Sequence, residues 1–158
     1  MGLGVSLHVC VLHPRSRGEI GRRSADLLAD RRIQPNYLAD PTDLRTLVAG
    51  VRAARRILAA PAFDSYRGLE LFPGEEARGD AAIEAFVRRR CETLYHPIGT
   101  CKMGIDAMAV VALDLRVRGL GELRVVDASI LPTLIGGNTN TPTTIIAEKA
   151  ADMIRRTR

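Results

Sequence analysis

The stretch between Pro41 and Pro61 has one sensible fold, a helix longer and more regular than anything else in the chain. Asp40 is placed to cap it. Pro41 suits the first helical position, where its missing N–H costs nothing, and Asp43 lies near the positive end of the dipole. Leu44, Leu47, Val48, Val51 and Leu58 then recur on one face, flanked by Arg45, Arg52, Arg55 and Arg56. A shorter helix is expected from a cap at Asp80 through Ile83, Phe86 and Val87 to about Arg90. The apolar run from Val5 to Leu12, ended by Pro14, reads as a strand. Pro14 to Gly18 reads as a turn and Glu19 to Arg22 as a short return strand. Residues 24 to 39 form an irregular connection around an extended Gln34-Pro35-Asn36-Tyr37.

From residue 93 the texture changes. Thr93 to Thr100 is loop-like. Val110-Val111, Arg116 to Arg118 and Leu123 to Val126 read as short strands separated by turns. A polar, Gly-led loop, Gly136 to Thr143, then enters a final helix. Thr141 is its expected cap, Pro142 its first residue, and Ile146, Ala150, Met153 and Ile154 its apolar stripe. Helices and strands do not alternate as in a βαβ series. The expected class is α+β, with flanking helices on a mostly antiparallel sheet. At 158 residues the chain is one domain or a large piece of a bigger one.

Several functions are excluded at this level. The longest apolar run, Ala107 to Leu113, is too short to span a bilayer. Aromatic residues make up 4% of the chain and Trp is absent, which leaves little to stack on bases. The net charge of +5 comes from arginines spread along the chain, a solvated surface rather than a nucleic-acid footprint. Cys10, Cys91 and Cys101 make no C-x-x-C pair, which points to reduced thiols and a cytoplasmic setting. His8 and His13 lack metal-ligand spacing, and no metal is expected. Met1 to Ser6 matches a myristoylation pattern too short to carry weight. Leu3 to Leu12 lacks the basic flank and cleavage site of a signal peptide. Neither G-x-S-x-G nor a P-loop is present. Gly119-x-Gly121-x-x-Arg124 has Arg where a dinucleotide fingerprint needs its third Gly.

Two loops remain. His96 sits in a Pro- and Gly-bearing segment, and Asn140 follows 44 residues later beside a helix N-terminus. Asn138-Thr139-Asn140 also reads as a plain turn and cap. Tyr95-His96-Pro97-Ile98-Gly99-Thr100-Cys101-Lys102-Met103-Gly104 resembles the catalytic-His segment of the glucose–methanol–choline (GMC) flavin oxidoreductases. Leu123 to Pro132, with Val125-Val126-Asp127-Ala128-Ser129 at its centre, resembles the segment that follows it there. Gly136 to Thr143, running into Ile145 to Asp152, resembles the family's closing loop and helix, and Ser16 to Ile20 a family turn. Order and spacing agree over nearly the whole chain. The choline-dehydrogenase-like branch fits best, since its closing loop carries Asn where some oxidases carry a second His.

The resemblance implies the C-terminal portion of a longer enzyme. Residues 1–119 would be a substrate-binding portion with the catalytic-His loop. Residues 120–158 would be a segment whose helix completes an FAD-binding Rossmann-like domain. The Gly-rich dinucleotide turn is missing, so the N-terminal FAD-binding half becomes the implied partner. The implied activity is oxidation of an alcohol to an aldehyde or ketone, by proton abstraction and hydride transfer to N5 of FAD. His96 would be the base, since a neutral imidazole can take that proton near neutral pH. Asn140 would donate to the developing alkoxide. Tyr95, Asp127, Ala128, Thr141, Pro142 and Thr143 would contact the cofactor. The final helix would turn its positive end and N–H groups to the flavin, with Thr143 and Thr144 as donors because Pro142 has none.

The implied partners are a small-molecule alcohol and the missing half, with no nucleic acid and no transmembrane segment. The implied compartment is the cytoplasm, with membrane association of the parent enzyme as an option. The alternative is a non-catalytic fragment or interaction module. Alone, the chain is expected to be colourless, its final helix left with an exposed apolar stripe that drives association.

Overall fold

A computed structural model describes residues 4–156. In chain order it contains strands β1 (Glu19–Gly21) and β2 (Arg32–Gln34) and helices α1 (Pro41–Leu58), α2 (Asp80–Arg90) and α3 (Asn140–Arg156), with single 3-10 turns at Pro61–Phe63 and Ala128–Ile130. The class is α+β, its sheet reduced to the antiparallel pair β1 and β2. The chain divides into two compact units. One contains the residues up to Gly18 and Gln34–Glu92; the other contains Glu19–Ile33 and the chain from Thr93 onward. No described helix is long and apolar enough to cross a membrane.

In the first unit α1 packs on α2. Leu44, Val48, Ile83 and Val87 are its buried core, with Leu38, Leu47, Val51, Phe86 and Cys91 packed around them. These are the periodic positions of both helices, so burial of one apolar stripe against another holds the pair together. The Thr42 N–H donates to the Asp40 carboxylate at 2.7 Å, the expected cap. The start of α2 is a correction: Gly79 is its N-cap, and Asp80 lies in the first turn, ion-paired with Arg52. Arg55 of α1 ties down the following connection. Its guanidinium donates to the carbonyls of Ala77 and Gly74 at 2.7 and 3.0 Å and pairs with Glu70 at 2.9 Å.

The run from Val5 to Leu12 is not a strand. Val9 instead covers α1 at Gly50, where an added Cβ would lie 2.2 Å from the Val9 side chain. Val5, Leu7 and Leu12 of the same run stay exposed. Asp43 anchors the turn that follows. Its side chain is buried and accepts the backbone N–H groups of Arg15 and Ser16 at 2.9 and 2.8 Å, and the Ser16 hydroxyl at 2.6 Å. The same hydroxyl accepts the Asp40 N–H at 3.1 Å. At Gly18 the chain passes so near Gln34 and Pro35 that a Cβ would meet their carbonyl oxygens at 2.4 and 2.6 Å. Only glycine fits there.

In the second unit the expected strands between 110 and 126 appear as isolated bridges, Met103 with Val111, Val111 with Val117 and Arg116 with Arg124. Tight turns re-aim the chain before any ladder can extend; one holds Leu115 at φ +68°. Val111, Leu115, Ile130 and Ala150 form the buried core, with Met103, Val110, Val117, Val125, Val126 and Ile146 packed on it. Ile146 and Ala150 belong to α3, and Met153 and Ile154 are half-buried. The Ile146 and Ala150 part of the α3 stripe therefore packs on its own unit instead of standing exposed. α3 also begins earlier than expected. Thr141 and Pro142 are its second and third residues, not cap and first residue. Proline is tolerated at the third position because the first N–H groups of a helix have no intrahelical acceptor.

Candidate functional site

His96 and the loop before α3 meet within the second unit. The segment carrying His96 is pinned through its backbone: the Cys101 and Met103 N–H groups donate to the Ser129 and Ile130 carbonyls at 3.1 and 2.8 Å. Gly99 makes the intervening turn at φ +84°. Tyr95 has φ +62°, rare for a residue with a Cβ, and its N–H donates to the Thr93 hydroxyl at 3.0 Å. The backbone thus turns sharply just before His96. Tyr95 itself stays largely exposed and His96 is half-buried.

The imidazole lies between two consecutive residues of the other loop. Its Nε2 is 3.3 Å from Oδ1 of Asn138, and its Nδ1 is 3.0 Å from Oγ1 of Thr139. Thr139 is buried and Asn138 exposed, so the ring's Nε2 edge is its open side. The structure therefore brings Asn138 and Thr139 to the ring rather than Asn140. Asn140 is exposed at the first position of α3, where its carbonyl accepts the Thr144 hydroxyl at 3.2 Å. Reading 138–140 as a turn and cap hid the pair, because which asparagine faces the ring depends on how the loop turns.

The donors at the head of α3 also differ from expectation. The Thr143 N–H already bonds the Thr139 carbonyl at 3.1 Å, and the Thr143 hydroxyl reaches the same oxygen at 2.7 Å. The helical ladder thus starts at Thr143. The N–H groups ahead of it belong to Asn140 and Thr141, since Pro142 has none. Asp127 caps the short 3-10 turn, its carboxylate accepting the Ser129 N–H at 2.7 Å. A contact by Asp127 with a ligand would therefore run through its backbone.

The three thiols are unpaired. Burial, aided by the negative charges of Asp43 and Glu92, holds the Cys91 thiol above its ordinary range, so it remains protonated and unreactive. Cys101 holds its place through its N–H rather than its sulfur. Cys101→Ser in a flavin-loaded enzyme bearing this region is expected to leave alcohol-dependent dye reduction unchanged. Lost turnover with flavin retained would show that the sulfur matters.

The first unit carries an open cleft of about 500 Å³ among Arg55, Arg67, Leu69, Glu70, Glu75 and Arg78. Its charges pair with one another, Arg55 with Glu70 and Arg78 with Glu75.

The family profile described as GMC oxidoreductase matches residues 14–147. The chain belongs to the GMC oxidoreductase family. It is 50% identical, over 99% of its length, to an alcohol dehydrogenase [acceptor] of Pseudomonas putida, of which it covers 28%. It is 49% identical, over 96% of its length, to an oxygen-dependent choline dehydrogenase of Burkholderia multivorans, covering 27% of that protein. Among solved structures it matches pyridoxine 4-oxidase from Mesorbium loti with a TM-score of 0.86 and 35% identity, over 92% of this chain and 28% of that one. It also matches an FAD-dependent oxidoreductase from Chaetomium thermophilum with a TM-score of 0.85 and 30% identity, over 92% and 26%. This GMC chain thus spans little more than a quarter of the relatives it matches.

Proposed function

We propose that this chain supplies the base and the closing helix for an FAD-dependent oxidation of an alcohol, performed by a longer protein. The observation that carries the reading is the half-buried imidazole of His96, held by Asn138 and Thr139 at the head of α3.

The residues present fit an FAD. The leading N–H groups of Asn140 and Thr141 and the positive helix end suit a negatively charged flavin edge. Tyr95, Asp127, Ala128, Thr141, Pro142 and Thr143 are the proposed cofactor contacts, with Asp127 acting through its backbone. FAD, when bound, accepts the hydride that leaves the carbinol carbon.

His96 does the proton work. The imidazole takes the hydroxyl proton as the carbonyl forms, so the alcohol loses one proton to the protein and one hydride to the cofactor. Asn140 is the proposed amide donor to the developing alkoxide. Asn138 is the ring's neighbour and not that donor, because the atom it turns to Nε2 is Oδ1, which accepts. The backbone N–H of Asn140 adds to the positive end of the helix.

The test is a chimera in which these 158 residues replace the matching C-terminal region of the Pseudomonas putida relative. The chimera is expected to retain FAD and reduce a dye in the presence of alcohol, while the chain alone stays colourless. A folded, flavin-loaded chimera without turnover would favour the alternative, a module without catalytic competence. Stoichiometric FAD on the chain alone would show that the missing half is not required for binding.

A further inference from the structure

We infer that the two loops meeting at His96 select an uncharged, apolar-bodied alcohol over a cationic one; this rests on His96 acting as the base. Residues 93–101 and 128–147 contain no Asp, Glu, Lys or Arg, in a chain that is 26% charged. The charges that bound these stretches are engaged elsewhere. Glu92 acts on the Cys91 thiol. The Lys102 ammonium pairs with Asp106 at 3.0 Å, and the Asp127 carboxylate accepts the Ser129 N–H at 2.7 Å. Glu148 lies more than two turns along α3 from Asn140.

The groups beside the imidazole are neutral. They are an amide oxygen, Asn138 Oδ1 at 3.3 Å, and a hydroxyl, Thr139 Oγ1 at 3.0 Å. Leu94 and Tyr95, just ahead of the ring in the chain, keep 50% and 80% of their surface exposed. An ammonium on the substrate meets no carboxylate from either loop, and desolvating a charge without a partner is costly. An apolar body gains by covering surface such as that of Leu94 and Tyr95.

The reaction adds to the selection. As the alcohol gives its proton to the imidazole and its hydride to the cofactor, His96 becomes an imidazolium. Neither loop supplies a counter-ion for it. A cationic group two or three bonds from the carbinol carbon then faces a like charge at roughly 5 Å. At an effective dielectric near ~20, with solvent screening, that opposes the step by about ten- to a hundredfold in rate.

The test uses the chimera with the Pseudomonas putida relative and two alcohols of one shape, choline and 3,3-dimethyl-1-butanol, in which carbon replaces the charged nitrogen. The kcat/KM for dye reduction is expected to be about ten- to a hundredfold higher with the uncharged alcohol. Asn138→Asp places a carboxylate beside the ring in nearly the same volume, and is expected to reduce that preference about tenfold. The remainder of the enzyme is the same in both chimeras, so its share of the selection cancels in this comparison. A wild-type chimera that prefers choline overturns the inference, as does an unchanged preference in a flavin-loaded Asn138→Asp chimera. In a flavin-loaded chimera without turnover, flavin absorbance reads binding of each alcohol. Tighter binding of 3,3-dimethyl-1-butanol there supports the selection and overturns the assignment of the base alone, while equal or tighter binding of choline overturns the selection.

Discussion

Replacing His96 by alanine, in a flavin-loaded enzyme carrying these residues, is expected to lower kcat by roughly a hundred- to ten-thousand-fold, the usual share of a general base. The flavin is expected to remain, because the imidazole's neighbours are Asn138 and Thr139 and the backbone around it is pinned independently through Cys101 and Met103. Asn140→Ala should also slow turnover, since it removes the proposed amide donor to the developing alkoxide. Asn138→Ala should cost less, because the Oδ1 it turns to Nε2 only accepts. Alcohol-dependent dye reduction, read against flavin absorbance, separates the three. Full activity in His96→Ala would remove the base, and a larger loss in Asn138→Ala than in Asn140→Ala would give the pairing role to Asn138.

Asp43→Ala is expected to cost the first unit about 3 kcal/mol, since it strips a charged acceptor from two backbone N–H groups and a hydroxyl in a buried site. For a chain of this size that lowers the melting temperature by about 6–12 °C. The pH dependence has a definite sign. Burial pushes the Asp43 carboxyl up, but the Arg15 N–H, the Ser16 hydroxyl and N–H, and the charge of Arg17 outweigh it and leave the group below its usual value. A carboxyl lowered by folding stabilises fully above its unfolded value of about 3.9, and that stability is lost as pH falls through the folded value. Asp43→Ala should therefore flatten the acid limb of the stability profile. Thermal melts across acidic pH check both points, and a variant as stable as the parent would show that the anchor contributes nothing.

The legible parts of the fold were those that repeat within a few residues. The cap at Asp40, the apolar face of α1 and the stop near Pro61 are local signals, and the structure follows them. The apolar run from Val5 to Leu12 misled because its residues suit a strand, yet it pairs with no neighbour: Val9 meets α1 at Gly50 while Val5, Leu7 and Leu12 stay exposed. The short strands expected between 110 and 126 have the right residues but pair only at single points, since tight turns cut each contact off. At the site, the two loops that meet, those carrying His96 and Asn138–Asn140, were legible from their motifs. Which side chains touch the ring was not, because spacing does not describe how the second loop turns. Thr143 was assigned a free N–H for a similar reason. The assignment required knowing that α3 starts at Asn140, and helix starts are uncertain by a residue or two when Thr and Asn fill the cap.

The close passage of Gly18 against Gln34 and Pro35 also bears on how members of such a family can diverge. The fifteen residues between them leave and re-enter the first unit through one narrow doorway, so that unit is indifferent to what lies beyond it. Closing a loop costs only about 0.6 kcal/mol more for each doubling of its length. Insertions and deletions between Gly18 and Gln34 are therefore nearly free for the helical pair, while substitution of Gly18 itself is not. Length should drift in this excursion as the doorway stays fixed, which makes it a natural place for related enzymes to acquire features of their own.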